Sequence, residues 1–205
     1  LELMTHWIFL TPGGILSDVD KVRVVSKFAI PKSVKQVRPF LGLSNYYRRF
    51  IKNYAKLSEP LCALIRDATP FGWDDSCQKA MDDLKSCLTS SPVLRFPDFG
   101  KAFYIHTDAC DAGLGAALMQ QDEDGREIVV AYASQTLNKS EKPYSTPEKE
   151  CLVLIWALEY FRPYIDGLHV TVYMVQSSLQ WLMSRPNPSG RLVRWCLRLQ
   201  DPTTT

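Results

Sequence analysis

No hydrophobic run in this sequence approaches the ~20 residues that a membrane-spanning helix needs, so a bilayer span is excluded. The opening Leu1-Glu2-Leu3-Met4-Thr5-His6 has neither the basic start nor the cleavage-type ending of a signal peptide. It also lacks an initiator methionine, which marks the chain as an expected excised fragment. The three histidines (His6, His106, His169) are scattered, and the six cysteines lie 15, 10, 23, 41 and 45 residues apart. Neither set has zinc-ligand spacing, so a reduced, intracellular protein without structural zinc is expected, with its compartment left open. There is no internal repeat, and no low-complexity tract beyond Thr203-Thr204-Thr205. What is present is ordinary for a folded domain: 205 residues, 46% hydrophobic and 11% aromatic, enough for one large domain or two small ones.

The net charge of +2 hides an asymmetry. Residues 1–57 carry ten Lys and Arg against three acids, a net of +7, and the remainder carries a net of −5. From Gly167 to Gln200 there is no acid, while Arg185, Arg191, Arg194 and Arg198 all occur. A solvated basic face is the simpler reading of charge alone; phosphate contact is the sharper one. The run Tyr46-Tyr47-Arg48-Arg49-Phe50-Ile51-Lys52 mixes rings with cations, which suits base stacking and phosphate contact, although aromatics at helical spacing are more often core.

Periodicity divides the chain near Phe96-Pro97-Asp98-Phe99-Gly100, read as a linker. Before it, a helix starts near Ser33, with Gln36 completing a capping box and Pro39 set to kink or shorten it. A second helix follows Trp73, capped by Asp74 or Asp75, with Cys77, Ala80, Met81, Leu84 and Leu88 as one apolar stripe. After the linker, Ala102–Thr107, Leu114–Gln120 and Ile128–Ala133 read as strands. A long helix starts near Thr146 and runs towards Pro163; a strand (Leu168–Val175) and two amphipathic helices (Ser178–Met183, Arg191–Gln200) follow. Three strands, helix, strand, helix, helix predict an α/β fold with a mixed sheet.

Asp108 ends the first of these strands, and Glu148 and Glu150 open the long helix. Carboxylates so placed can converge to hold divalent metal, and paired ions can drive phosphodiester cleavage. Equally, Asp before a glycine turn is common, and acids in a first helical turn complement the helix dipole.

The strings themselves say more. Phe40-Leu41-Gly42-Leu43-Ser44-Asn45-Tyr46-Tyr47-Arg48-Arg49-Phe50-Ile51, then Phe71-Gly72-Trp73 with Ser91-Pro92-Val93-Leu94, resembles the thumb segment of gypsy-type LTR-retrotransposon reverse transcriptases. Thr107-Asp108-Ala109-Cys110-Asp111-Ala112-Gly113-Leu114-Gly115-Ala116, Ala131-Tyr132-Ala133-Ser134 and Tyr144-Ser145-Thr146-Pro147-Glu148-Lys149-Glu150-Cys151-Leu152 resemble the attached ribonuclease H domain. The resemblance implies an RNase H-like mixed sheet over residues 101–205, preceded by a helical thumb/connection module over 33–100 and the end of a polymerase palm over 1–32. It implies Mg²⁺ or Mn²⁺ as cofactor, RNA–DNA hybrid or duplex as partner, and association with the rest of a Pol polyprotein.

On the same resemblance, Asp108 and Glu150 correspond to the first two family metal ligands, with Glu148 the lesser alternative to Glu150. The third lies in a Thr-Asp-His string; here that place reads Met174-Val175-Gln176, and Val175 cannot bind metal. The fourth lies past the end of this chain. Two of four ligands are thus missing, which predicts weakened metal binding and impaired hydrolysis of the RNA strand. Truncation also leaves the Leu168–Val175 strand as an unpaired sheet edge. No Tyr-x-Asp-Asp-like polymerase string occurs.

Two functions compete. One is a reverse transcriptase/RNase H segment whose Arg48, Arg49, Lys52, Tyr46 and Tyr47 grip hybrid. The other is a catalytically dead module co-opted to bind nucleic acid or protein. A third, an ATPase with Asp108–Gly115 as a phosphate loop, needs a second such loop and an adenosine motif, and neither is found.

Overall fold

The computed structural model describes residues 3–4, 8–11, 13–17, 24–66, 70–90, 94–174, 180, 182, 184 and 190–199. Its first half is mainly helical. Helix α1 (Val34–Tyr46) buries Val37, Phe40, Leu41 and Ser44, the i, i+3, i+4, i+7 pattern of one helical face. The expected capping box does not form: Ser33 makes no side-chain cap bond, and Gln36 Oε1 accepts from Lys32 N at 2.7 Å instead. Pro39 sits on the exposed side, so the helix runs on for seven residues beyond it.

A 3-10 turn (Arg48–Phe50) and Asn53, in the left-handed region at φ 55, lead into α2 (Tyr54–Arg66). Sequence reading missed α2, because Pro60 lies in its middle. Helix α3 (Asp75–Thr89) matches its expected stripe, with Cys77, Ala80, Met81, Leu84 and Leu88 all buried. Asp74 caps it, accepting from Cys77 N at 2.8 Å and from Ser76 Oγ, which lowers its carboxyl to about 2. The three helices close over one core that includes Phe40, Tyr47, Phe50, Leu61, Met81 and Leu84. Upstream, β1 (Leu3–Met4), β2 (Ile8–Thr11) and β3 (Gly14–Ser17) form an antiparallel sheet, and Ile15 pairs with Leu94.

The second half holds β4 (Phe103–Ala109), β5 (Gly113–Gln121) and β6 (Glu127–Thr136), an antiparallel meander. Helix α4 (Thr146–Ile165) then crosses over to β7 (Val170–Tyr173), which pairs parallel to β4. The order β6-β5-β4-β7 is the expected mixed sheet. Helix α5 (Gly190–Leu199) packs Leu192 and Trp195 against Cys151 and Ile155 of α4. The α4 cap is Ser145 rather than the expected Thr146: Glu148 Oε2 accepts from Ser145 N and Oγ, both at 2.9 Å. Val175 and all but Gln180 and Leu182 of the expected helix Ser178–Met183 lie outside the described residues.

Side chains alternate along β5, and the alternation explains how the halves meet. Ala116 and Leu118 join Phe103, Ile105, Leu154, Leu158 and Phe161 beneath α4. Leu114 packs with Leu137 and Val153. The intervening Gly113, Gly115 and Ala117 turn the other way, towards the helical half. There Ala55 N donates to Ser134 Oγ at 3.2 Å, Arg48 donates to the Ser134 carbonyl, and Val129 and Tyr132 pack against the helical core. The expected linker is also fastened: Gln120, 1% exposed, accepts from Asp98 N at 2.9 Å and donates to the Asp98 carbonyl at 2.7 Å.

Candidate metal and nucleic-acid site

Asp108 stands at the end of β4, directly across the ladder from Gly115. A two-residue turn, closed by Cys110 N to Gly113 O at 3.0 Å and Gly113 N to Cys110 O at 3.2 Å, brings the chain back into β5. That turn is held to the first turn of α4, where the buried Lys149 donates to Asp111 Oδ1 at 2.6 Å and lowers the Asp111 carboxyl below its usual range. Glu150 is the next residue along α4.

Glu150 is only 8% exposed. Burial, and then the negative charge of Asp108, raise its carboxyl above the ordinary value. Glu148 points to a different task, since its carboxylate serves the Ser145 cap. Glu150 thus feels the charge of Asp108, while Glu148 is engaged at the Ser145 cap. Both penalties on Glu150 are ones that a nearby divalent cation relieves, and an oxygen-only pair with water completing the shell suits Mg²⁺. Among the described residues, no three His, Cys, Asp or Glu side chains gather as a metal-holding group.

From the other side, Asn53 Nδ2 donates to Asp108 Oδ2 at 2.7 Å. Sequence reading missed Asn53 entirely. Lys52, Asn53, His106, Asp108, Gly115 and Tyr132 line an open cleft of about 420 Å³ at the joint of the two halves. His106 meets Glu127 at 3.2 Å there. Asn53 takes the space over Gly115, and Gln135 of β6 with Ala55 of α2 takes that over Gly113, which leaves the phosphate-loop reading no room. Gly113, Gly115 and Ala117, small at every second position, were the legible sign of a close approach.

The five basic and aromatic candidates separate. Tyr47 is fully buried, edge-on to Tyr46 and tilted against Phe50, so its ring is unavailable to a base; of the two readings open for it, core holds and its place among the nucleic-acid contacts is corrected. Tyr46 is 49% exposed. Arg48 tethers the 3-10 turn to β6 through the Ser134 carbonyl. Arg49 is half-buried, and Lys52 is exposed at the cleft.

A four-stranded β6-β5-β4-β7 sheet crossed by one helix, with an aspartate near the end of β4 and a glutamate near the start of α4, defines a ribonuclease H-like domain, here docked on a helical module. Residues 73–172 match the model of the RNase H-like domain found in reverse transcriptase. The Pol polyprotein of transposon 412 from Drosophila melanogaster is 42% identical over 191 residues, covering 93% of this chain and 15% of that protein. The opus Pol polyprotein of the same organism is 39% identical, covering 94% of this chain and 20% of that protein. The Tf2-3 polyprotein of Schizosaccharomyces pombe is 34% identical, covering 94% and 15%. The chain belongs to the family of gypsy-type retrotransposon Pol polyproteins, within their reverse transcriptase–RNase H region. It spans one-fifth or less of the length of these curated relatives. The foamy viral protease–reverse transcriptase solved with an RNA/DNA hybrid superposes with a TM-score of 0.76 at 22% identity, covering 98% of this chain and 28% of that one, a likeness of fold.

Proposed function

We propose that this chain grips an RNA–DNA hybrid across the joint of its two halves and has a weakened capacity to hydrolyse the RNA strand. The observation that carries the reading is Asp108, exposed in the cleft at that joint, whose charge bears on the buried Glu150. Asp108 and Glu150 are the residues that hold a divalent cation; when bound, the ion supplies the positive charge that activates water and stabilises the leaving oxygen. Lys149 and Asp111 keep the two carboxylates in register. The exposed Lys52, with Arg49 and Tyr46 nearby on the chain, supplies phosphate and stacking contacts, while Arg48 holds the 3-10 turn against β6. The foamy viral neighbour solved with RNA/DNA hybrid supports this choice of partner. The division at residues 33–100 and 101–205 follows from the same reading: a thumb/connection-like module presenting the hybrid to an RNase H-like one, after a palm remnant over 1–32.

Val175 favours a second reading, in which binding persists without cleavage, because a valine adds no ligand to the pair. A cleavage assay on labelled hybrid with Mg²⁺ or Mn²⁺ separates the two. Slow cleavage abolished by Asp108→Asn supports the first reading. Hybrid binding with no cleavage in either protein supports the second. Cleavage that persists in Asp108→Asn contradicts both placements of the site.

A further inference from the structure

We propose that Asn53, contributed by the helical half, is a positioning residue for Asp108, so that the cation site is completed only when the two halves are docked. The inference rests on the reading of Asp108 and Glu150 as a cation site and extends it to a residue 55 positions away in the chain.

Three separate features converge on this contact. Asn53 Nδ2 donates to Asp108 Oδ2 at 2.7 Å, a bond to a carboxylate and so stronger than a neutral one. The Asn53 backbone lies at φ 55, a conformation that asparagine tolerates better than most side chains, and its carbonyl accepts from Lys56 N at 3.0 Å and Leu57 N at 3.1 Å as α2 begins. The amide is therefore presented from the fixed end of a helix rather than from a loose loop. Across from Asp108, Gly115 supplies the space: a Cβ there would collide with Asn53 Oδ1.

A fold that needed only a turn at this point has no use for all three together. Their joint effect is to hold one oxygen of Asp108 and fix the plane of its carboxylate, leaving the second oxygen for the ion. Carboxylate ligands are generally oriented by such outer partners, whose loss typically costs about 10- to 100-fold in metal affinity. The docked arrangement then favours the cation, and by reciprocity the cation favours docking.

The test is Mn²⁺ binding to the full chain, followed by electron paramagnetic resonance, in the unaltered protein and four variants. Asn53→Gly deletes the amide and suits the left-handed backbone. Gly115→Ala leaves Asn53 in the chain and pushes its amide off Asp108. Ser134→Ala cuts a different tie across the same joint, the one to Ala55 N, and Asp108→Asn removes the ligand itself. Asn53→Gly and Gly115→Ala are each expected to weaken Mn²⁺ binding roughly 10-fold or more. Ser134→Ala is expected to stay within about twofold, and Asp108→Asn to lose binding. If Asn53→Gly and Gly115→Ala both bind Mn²⁺ like the unaltered protein while Asp108→Asn does not, the role of Asn53 is overturned and the cation site stands. An equal loss in Ser134→Ala overturns it as well, since general loosening of the joint then accounts for the effect. Absence of Mn²⁺ binding in the unaltered protein overturns the cation site and Asn53's role together.

Discussion

Gly113 and Gly115 lie two residues apart on the same face of β5, yet alanine at the two positions should have different consequences. A Cβ on Gly113 would stand 2.5 Å from the backbone carbonyl oxygen of Gln135 and 3.1 Å from Ala55 Cβ. Cβ atoms essentially never approach a neighbour closer than 3.0 Å, so at least 0.5 Å must open between β5 and β6. That pair is a regular ladder that resists the shift. Overpacking of this kind costs about 1–3 kcal/mol, occasionally more, and the backbone obstacle places Gly113→Ala at about 3 kcal/mol. At Gly115 the obstacle is the tip of Asn53, which can swing away. The cost there is chiefly one bond to a partly solvated carboxylate, about 1 kcal/mol. Urea unfolding of both variants, with the m-value checked for constancy, measures the difference. A Gly113→Ala loss about 2 kcal/mol larger than that of Gly115→Ala is expected. Equal losses, or the reverse order, would refute the claim that Gly113 faces a fixed backbone and Gly115 a movable side chain.

Glu150→Gln should stabilise the protein at pH 7. Its carboxyl is raised in the fold, so stability is lost as pH climbs through the ordinary glutamate range, about 4.3, towards the folded value; the gain from Gln should vanish below about pH 4. Urea midpoints at the two pH values check this, and a gain equal at both contradicts it. Arg49→Ala and Lys52→Ala should each weaken hybrid binding and lower the salt-dependence slope by about 1, measured by fluorescence anisotropy over a salt series. Val175→Asp puts a carboxylate at the position that the sequence resemblance assigns to a third ligand and should raise hybrid cleavage roughly tenfold or more, about 1.4 kcal/mol off the barrier; an unchanged rate places the defect elsewhere.

Periodicity made much of this architecture legible. The Cys77–Leu88 stripe, the three-strand meander and the long helix through Leu158 carry strong local patterns, and tertiary packing agrees with them. Helix α2 was hidden because Pro60 breaks its local pattern, while its burial of Tyr54, Ala55, Ser58 and Leu61 is a tertiary fact. The aromatic-basic run leaves stacking and core both open for its tyrosines, and a 3-10 turn decides between them by burying Tyr47, while Arg48 is tied to β6. Asp108 and Glu150 were visible through their strings. Asn53 was not, because nothing local marks an asparagine whose partner lies on another element, and the glycine alternation that admits it names no occupant.

The central claim is that Asp108 and Glu150 act as one cation-holding pair, and a double-mutant cycle in Mn²⁺ affinity tests it most directly. Isothermal titration of the unaltered protein, Asp108→Asn, Glu150→Gln and the double variant supplies the four corners. The account predicts strong non-additivity: either single substitution removes most of the affinity, and the second adds little. Independent, additive losses, or Mn²⁺ binding that survives in the double variant, would contradict it.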